Sequence, residues 1–128
     1  NPGTSPTIFQ QGTYGPGSLY RWMGSIAMDK QGNMALGYSA ASDMVYPGIR
    51  YVGRTVTDPL GTMPQTERTI QVGSGSQTGT AGRWGDYSDM TVDPVDDCTF
   101  WYTQEYIQTT GTTSWQTRIA SFKFPGCS

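Results

Sequence analysis

Two copies of an Arg-Trp dipeptide are the side chains in this sequence best suited to gripping a small polar ligand. They stand at Arg21-Trp22 and Arg83-Trp84, 62 positions apart. An indole offers a flat apolar face on which a sugar ring can stack, and a guanidinium supplies a planar fork of donors for oxygens. Tyr102 and Trp115, with Tyr14, Tyr20 and Trp101, add aromatic surface to such a site. The competing assignment is architectural. Aromatics that recur at equivalent positions of a repeat pack between repeats, while their arginines bond nearby carbonyls.

Asp93, Asp96 and Asp97 form the densest acidic group, near Asp86 and Asp89. A hard cation such as calcium takes several oxygen ligands, and an Asp-rich turn can supply them. The spacing is not that of an EF-hand loop, and the same aspartates serve equally well as Asx-turns bonded to their own backbone. Calcium is therefore the one cofactor considered, with Asp93, Asp96 and Asp97 as its candidate ligands. The chain has no histidine. That removes Ser-His and Cys-His catalysis and His-ligated zinc. No catalytic residue is assigned.

Charged residues make up 14% of the chain and the net charge is −2, so nothing here attracts nucleic acid or an anionic membrane. No apolar run approaches the roughly 20 residues that span a bilayer, and no membrane insertion is expected. Gly, Thr, Ser, Gln and Tyr are plentiful, a balance that suits short strands and many turns rather than amphipathic helices. The chain opens on Asn1-Pro2-Gly3, which reads as a processed product or a fragment with a flexible lead-in over residues 1–6.

The elements that must position these residues come from an internal repeat. RWMGSIAMDKQGNMALGYS from Arg21 returns as RWGDYSDMTVDPVDDCTFWYT from Arg83. Asp29 and Tyr38 match Asp93 and Tyr102 at an offset of 64, and Arg50 matches Arg118 at 68. TIFQQGT from Thr7 matches TIQVGSG from Thr69. The repeats cover about 7–66 and 67–127. Period-2 patterning divides each into strands: Ser25–Asp29, Asn33–Ser39 and Gly48–Thr55 in the first, and Asp89–Asp93, Cys98–Glu105 and Thr117–Phe124 in the second. Arg68–Val72 is a fourth strand, with Thr7–Gln10 as its counterpart.

Four short antiparallel strands repeating every sixty-odd residues predict an all-β fold of two propeller-type blades, in chain order 4-1-2-3-4-1-2-3. A duplicated β-sandwich is the alternative. Two blades cannot close a ring alone, so closure requires further copies of the chain or further blades. Cys98 and Cys127 flank the last hairpin, and their midpoint falls in its turn near residue 112. The two thiols would then face each other at the open end. This predicts a disulfide, and with it an oxidising, extracellular compartment. Two free buried thiols are the other possibility.

The stretch GSIAMDKQGNMALGYS followed by IRYVGRTVTDPLGTM resembles the sialidase-type (Asp-box) propeller repeat. The resemblance implies a Ser-x-Asp-x-Gly-x-Thr-Trp turn between strands three and four. Asp58, Gly61 and Thr62 match that turn, with the spacing off by a residue and Met63 in place of the aromatic. RWGDYSDMTVDPVDDCTFWYT also resembles segments of large secreted bacterial proteins. The family's catalysis uses three arginines, a Tyr-Glu pair and an acidic Asp. Arg50 and Arg118 sit at repeated positions rather than as a converging set, and Tyr102, Glu105 and Tyr106 lie within one segment. Propeller lectins of this layout place aromatic pairs between blades, one site per blade. The resulting expectation is a secreted, non-catalytic module for glycan binding, self-assembly or both. The alternatives are a structural subunit completed by strand exchange, and a piece of a sialidase-like glycoside hydrolase.

Overall fold

The computed structural model describes residues 5–80 and 82–128. Of the lead-in expected over residues 1–6, positions 1–4 lie outside the described residues. Among the described residues seven strands form: β1 (Tyr20–Met28), β2 (Met34–Ser42), β3 (Val45–Arg54), β4 (Arg68–Gln71), β5 (Asp89–Val92), β6 (Phe100–Ile107) and β7 (Trp115–Phe122). They make two antiparallel sheets, β1-β2-β3-β4 and β5-β6-β7. The fold is all-β, and neither sheet closes on itself.

Local chemistry explains the turns. Between β1 and β2 the Asp29 carboxylate accepts the backbone N–H groups of Gln31 and Asn33 and the Asn33 amide. Gly32 takes the positive φ of 89° that closes this turn. Between β5 and β6 the Asp96 carboxylate accepts the N–H groups of Cys98 and Thr99 and the Thr99 hydroxyl. Aspartates at these positions replace backbone partners lost at the strand ends.

Three expectations need correction. β1 begins at Tyr20 rather than Ser25, because the ladder slips between Trp22 and Ser25 and Met23 takes a φ of 51°. A bulge adds a residue to one strand and so breaks the alternation by which a strand is recognised. Thr7–Gln10 forms no strand. It runs irregularly, with the Gln10 side chain accepting the Gly61 N–H. The order 4-1-2-3-4-1-2-3 therefore loses its first member. Finally, Tyr38 pairs with Arg50, but Tyr102 pairs with Ala120 and Arg118 with Gln104. The second hairpin has slipped by two residues against the repeat alignment. An even slip keeps every side chain on its face, so the alternation of the sequence does not record it.

The sheets pack through Ala35 and Ile49 on one side and Met90, Phe100 and Tyr102 on the other. Phe122 stacks on Tyr51 at 3.9 Å and on Phe100 at 5.5 Å. Gly37 is the notch that admits Tyr102. A Cβ there would lie 2.5 Å from the Tyr102 ring. Gly37→Ala should accordingly lower stability by about 1–3 kcal/mol in thermal unfolding, whereas Gly15→Ala, which meets open space, should leave it unchanged.

Repeat mates face the same way along this stack. Tyr102 points from the second sheet into the first. Tyr38 points away from the second sheet, into a separate cluster with Ala40, Val52, Tyr14 and Met63. Cys98 and Cys127 form a disulfide with Cα atoms 5.6 Å apart. The β6–β7 ladder runs from Phe100↔Phe122 to Ile107↔Trp115, which centres the hairpin on Gly111. The second arm carries extra residues, and a turn at Pro125-Gly126 takes them up before Cys127, whose N–H bonds the Phe124 carbonyl.

Candidate functional site

Trp22 lies on β1 just before the bulge, and Trp84 lies in the loop leading to β5. Their rings meet at 5.8 Å and 62°, edge to face. The Trp84 indole N–H donates to Ser39 Oγ on β2 at 2.9 Å, which fixes the ring across the junction of the two sheets. The repeated tryptophans thus share one place rather than marking one site per sheet. They line a cleft of about 590 Å³ together with the β2–β3 hairpin from Ala41 to Pro47 and with Ser76 and Gln77. Tyr46 is half exposed on that hairpin and Met44 fully so.

Trp84 also lines a second, smaller cleft of about 280 Å³ with Arg83, Asp86, Tyr87, Glu105 and Trp115. Arg83 is ion-paired with Asp86, and Glu105 accepts the Gly85 N–H. The Trp115 indole N–H is buried without a partner. Trp22, Arg83, Trp84 and Trp115 therefore line clefts.

Arg21 and Tyr102 are engaged inside the fold. Tyr102 is 1% exposed in the core, and burial pushes its phenol up to about 12. Arg21 is bound within the protein. Its Nε and Nη2 donate to Glu67 Oε2 at 3.1 and 2.8 Å, and Nη1 donates to the carbonyls of Pro16 and Leu19. Its guanidinium lies 5.3 Å from the centre of the Tyr14 ring and 5.7 Å from that of Tyr38.

Glu67 is the hub that sequence reasoning missed. Besides Arg21 it accepts the Tyr38 hydroxyl at 2.5 Å and Arg50 Nη1 at 2.6 Å. One carboxylate thus ties β1, β2 and β3 to the segment entering β4. Burial raises the Glu67 carboxyl, but the Tyr38 hydroxyl and the two guanidiniums outweigh it and hold the group at about 2. Burial first, and then the Glu67 charge, push the Tyr38 phenol well above the ordinary range. A phenol that keeps its proton and is 2% exposed is not an available nucleophile. Glu105 does not converge with Tyr102 and Tyr106 either, since alternation along β6 puts it on the opposite face from both. The one signal for Glu67 in the sequence is rarity, because it and Glu105 are the only glutamates.

Two aspartates of the β5–β6 turn, Asp93 and Asp96, accept hydrogen bonds within the fold. Asp93 accepts the Val95 N–H and the Trp101 indole N–H. The Thr99 N–H, the Thr99 hydroxyl and the Cys98 N–H hold Asp96 at about 2. Asp97 takes a φ of 52°. Among the described residues, no three acidic or thiol side chains gather as a metal site would require. The Asp58, Gly61 and Thr62 turn lies between β3 and β4. Asp58 Oδ2 accepts the Thr55 N–H and the Gln65 amide, Gly61 takes a φ of 72°, and the Thr62 hydroxyl donates to the Pro59 carbonyl. Among the described residues no helix is long and apolar enough to cross a membrane.

No protein-family model, no curated protein and no solved structure matches this chain.

Proposed function

We propose that this chain is an extracellular, propeller-type module that binds glycans in the cleft between Trp22, Trp84 and the β2–β3 hairpin. The observation that carries this is the meeting of the two repeat-related indoles at the junction of the sheets, with Tyr46 lining the same cleft. Ser42, Asp43, Ser76 and Gln77 bring short polar groups to the same cleft. Flat apolar faces ringed by hydroxyl, amide and carboxylate groups match a polyol ring, which has apolar C–H faces and a polar equator.

The blade reading draws support from the direction of the repeat mates. Two sheets related as a symmetric sandwich would turn Tyr38 and Tyr102 toward each other. Successive blades would point both the same way, which is the arrangement here. The disulfide favours an oxidising compartment. A catalytic role as part of a sialidase-like hydrolase draws less support, because the carboxylate nearest a tyrosine is held by two arginines inside the fold.

Affinity electrophoresis through a panel of polysaccharides tests the reading. The parent chain should be retarded by at least one glycan. Trp22→Ala should weaken that retention about tenfold or more, the usual consequence of losing a central aromatic anchor, with cooperative thermal unfolding retained. Trp84→Phe should weaken it less, since a smaller ring stays in place. A parent that no glycan retards, or a Trp22→Ala variant retarded like the parent, would reject the proposal.

A further inference from the structure

We propose that the free edge of β7 is completed by residues 7–9 of a second copy of this chain. This inference does not depend on the ligand reading. In the first sheet β3 is flanked by β4, through Ile49↔Gln71, Arg50↔Thr69 and Tyr51↔Arg68. In the second sheet β7 occupies the place of β3, but among the described residues nothing pairs with its outer edge. Its eight residues carry one charge, Arg118, and no proline. Natural edge strands are normally blunted by charge, proline or a covering segment, and an unprotected one is a template for another strand.

The sequence supplies the matching strand. Thr7-Ile8 repeats the Thr69-Ile70 of β4, and both copies run on to a glycine, at Gly12 and Gly73. Yet residues 7–10 form no ladder, and Ile8 and Phe9 are 77% and 79% exposed. The parity of the pairing also fits. On β4, Ile70 packs against the cluster that contains Ile49. Ile49 lies opposite Ser39, and its ladder counterpart in the second sheet is Ile119, opposite Thr103. Ile119 is 67% exposed. A segment entering β7 as β4 enters β3 would lay Ile8 beside Ile119 and cover two exposed side chains at once.

The occupant is a second copy because this chain itself carries the segment that repeats β4, with Ile8 and Phe9 exposed. Its own segment is held elsewhere, with Gln10 bonded to Gly61 and reaching Met34 Sδ. Residues 7–9 lie beyond that tether and are free to be donated. Each copy then gives one strand and receives one. A head-to-tail exchange of this kind builds closed rings, or filaments where the rotation does not close.

The test uses the full chain and the double variant Ile8→Pro/Phe9→Pro. Alternate residues of a strand face its partner, so one of two adjacent prolines must fall where an N–H is needed. The segment makes no ladder in the single chain, so the variant should keep the parent's circular dichroism. Native mass is read by light scattering over a range of concentrations, and amide exchange is followed along β7. The parent should form discrete multiples or filaments with slowed β7 exchange. The variant should show the monomer mass and β7 exchange at least about tenfold faster. A parent that is monomeric throughout overturns the proposal. So does an oligomer that survives the two prolines, and so does a monomer whose β7 amides are protected, since its own segment would then be the occupant.

Discussion

The double substitution Cys98→Ser/Cys127→Ser is expected to lower the stability of the folded chain by about 3–4 kcal/mol, the chain-entropy value for a loop of about 30 residues. The two cysteines are 29 positions apart, and the loop between them contains all of β6 and β7. That sheet has little else to fasten it. β5 is four residues long and most of β7 is exposed. The bond sits where Phe124 meets Phe100 and where the Asp97 carbonyl accepts the Lys30 N–H from the first sheet. Freeing this end loosens the hairpin and its attachment together. Guanidinium unfolding followed by tryptophan fluorescence, on the variant and on the reduced parent, measures the effect. A loss below about 1 kcal/mol in both would mean that packing alone holds the second sheet.

Glu67→Gln is expected to destabilise the protein by about 2–3 kcal/mol, because it leaves Arg21 and Arg50 partly buried with no counter-charge. That corresponds to a fall in Tm of roughly 10 °C for a chain of this size. The loss depends on pH. The carboxyl lies lower in the folded protein, at about 2 against a reference of 4.5. A depressed acid contributes stability that is fully present above its unfolded value and is lost as pH falls toward its folded value. The parent and the variant should therefore differ most at and above about pH 5 and converge as the pH falls toward 2. Glu105→Gln keeps an acceptor for the Gly85 N–H and serves as the comparison, with a shift of about 0.5 kcal/mol or less. A gap between parent and Glu67→Gln that stays constant from pH 7 to about pH 2 would show that the charge of Glu67 is not what holds the hub together.

Repetition made much of the fold legible. Matching turns at Lys30–Asn33 and Asp93–Asp97, with period-2 runs on either side, located six of the seven strands to within a few residues, apart from the early start of β1. Thr7–Gln10 looked like a strand because it copies β4. A strand needs a neighbour's backbone, however, and sequence likeness does not say which neighbour is within reach. The two-residue slip that separates Arg118 from Tyr102 was invisible for a related reason. It preserves the alternation that is the only record of register in a sequence.

The candidate site was less legible. Trp22 and Trp84 were identified as residue types, but as two sites rather than one, because a repeat offset carries no information about what lies across a sheet junction. The notch at Gly37 takes up the Tyr102 ring, a fit that the sequence does not mark. Arg21 is engaged by Glu67, 46 positions away. Such a pairing exists only once three strands are in register.

Each sheet is drawn from a nearly unbroken stretch of chain, and this bears on how a ribosome would deliver the protein. The first sheet and the segment that covers its outer face use residues before 72. The second sheet uses residues from 89 onward. During synthesis from the N-terminus, β1 to β4 and the Glu67 hub can therefore assemble before β5 has been translated. The face left waiting combines the small Ala35, Gly37 and Gly53 with Ile49, Tyr51 and Ile70, so an apolar surface stays open until Tyr102, Phe122 and Phe124 arrive.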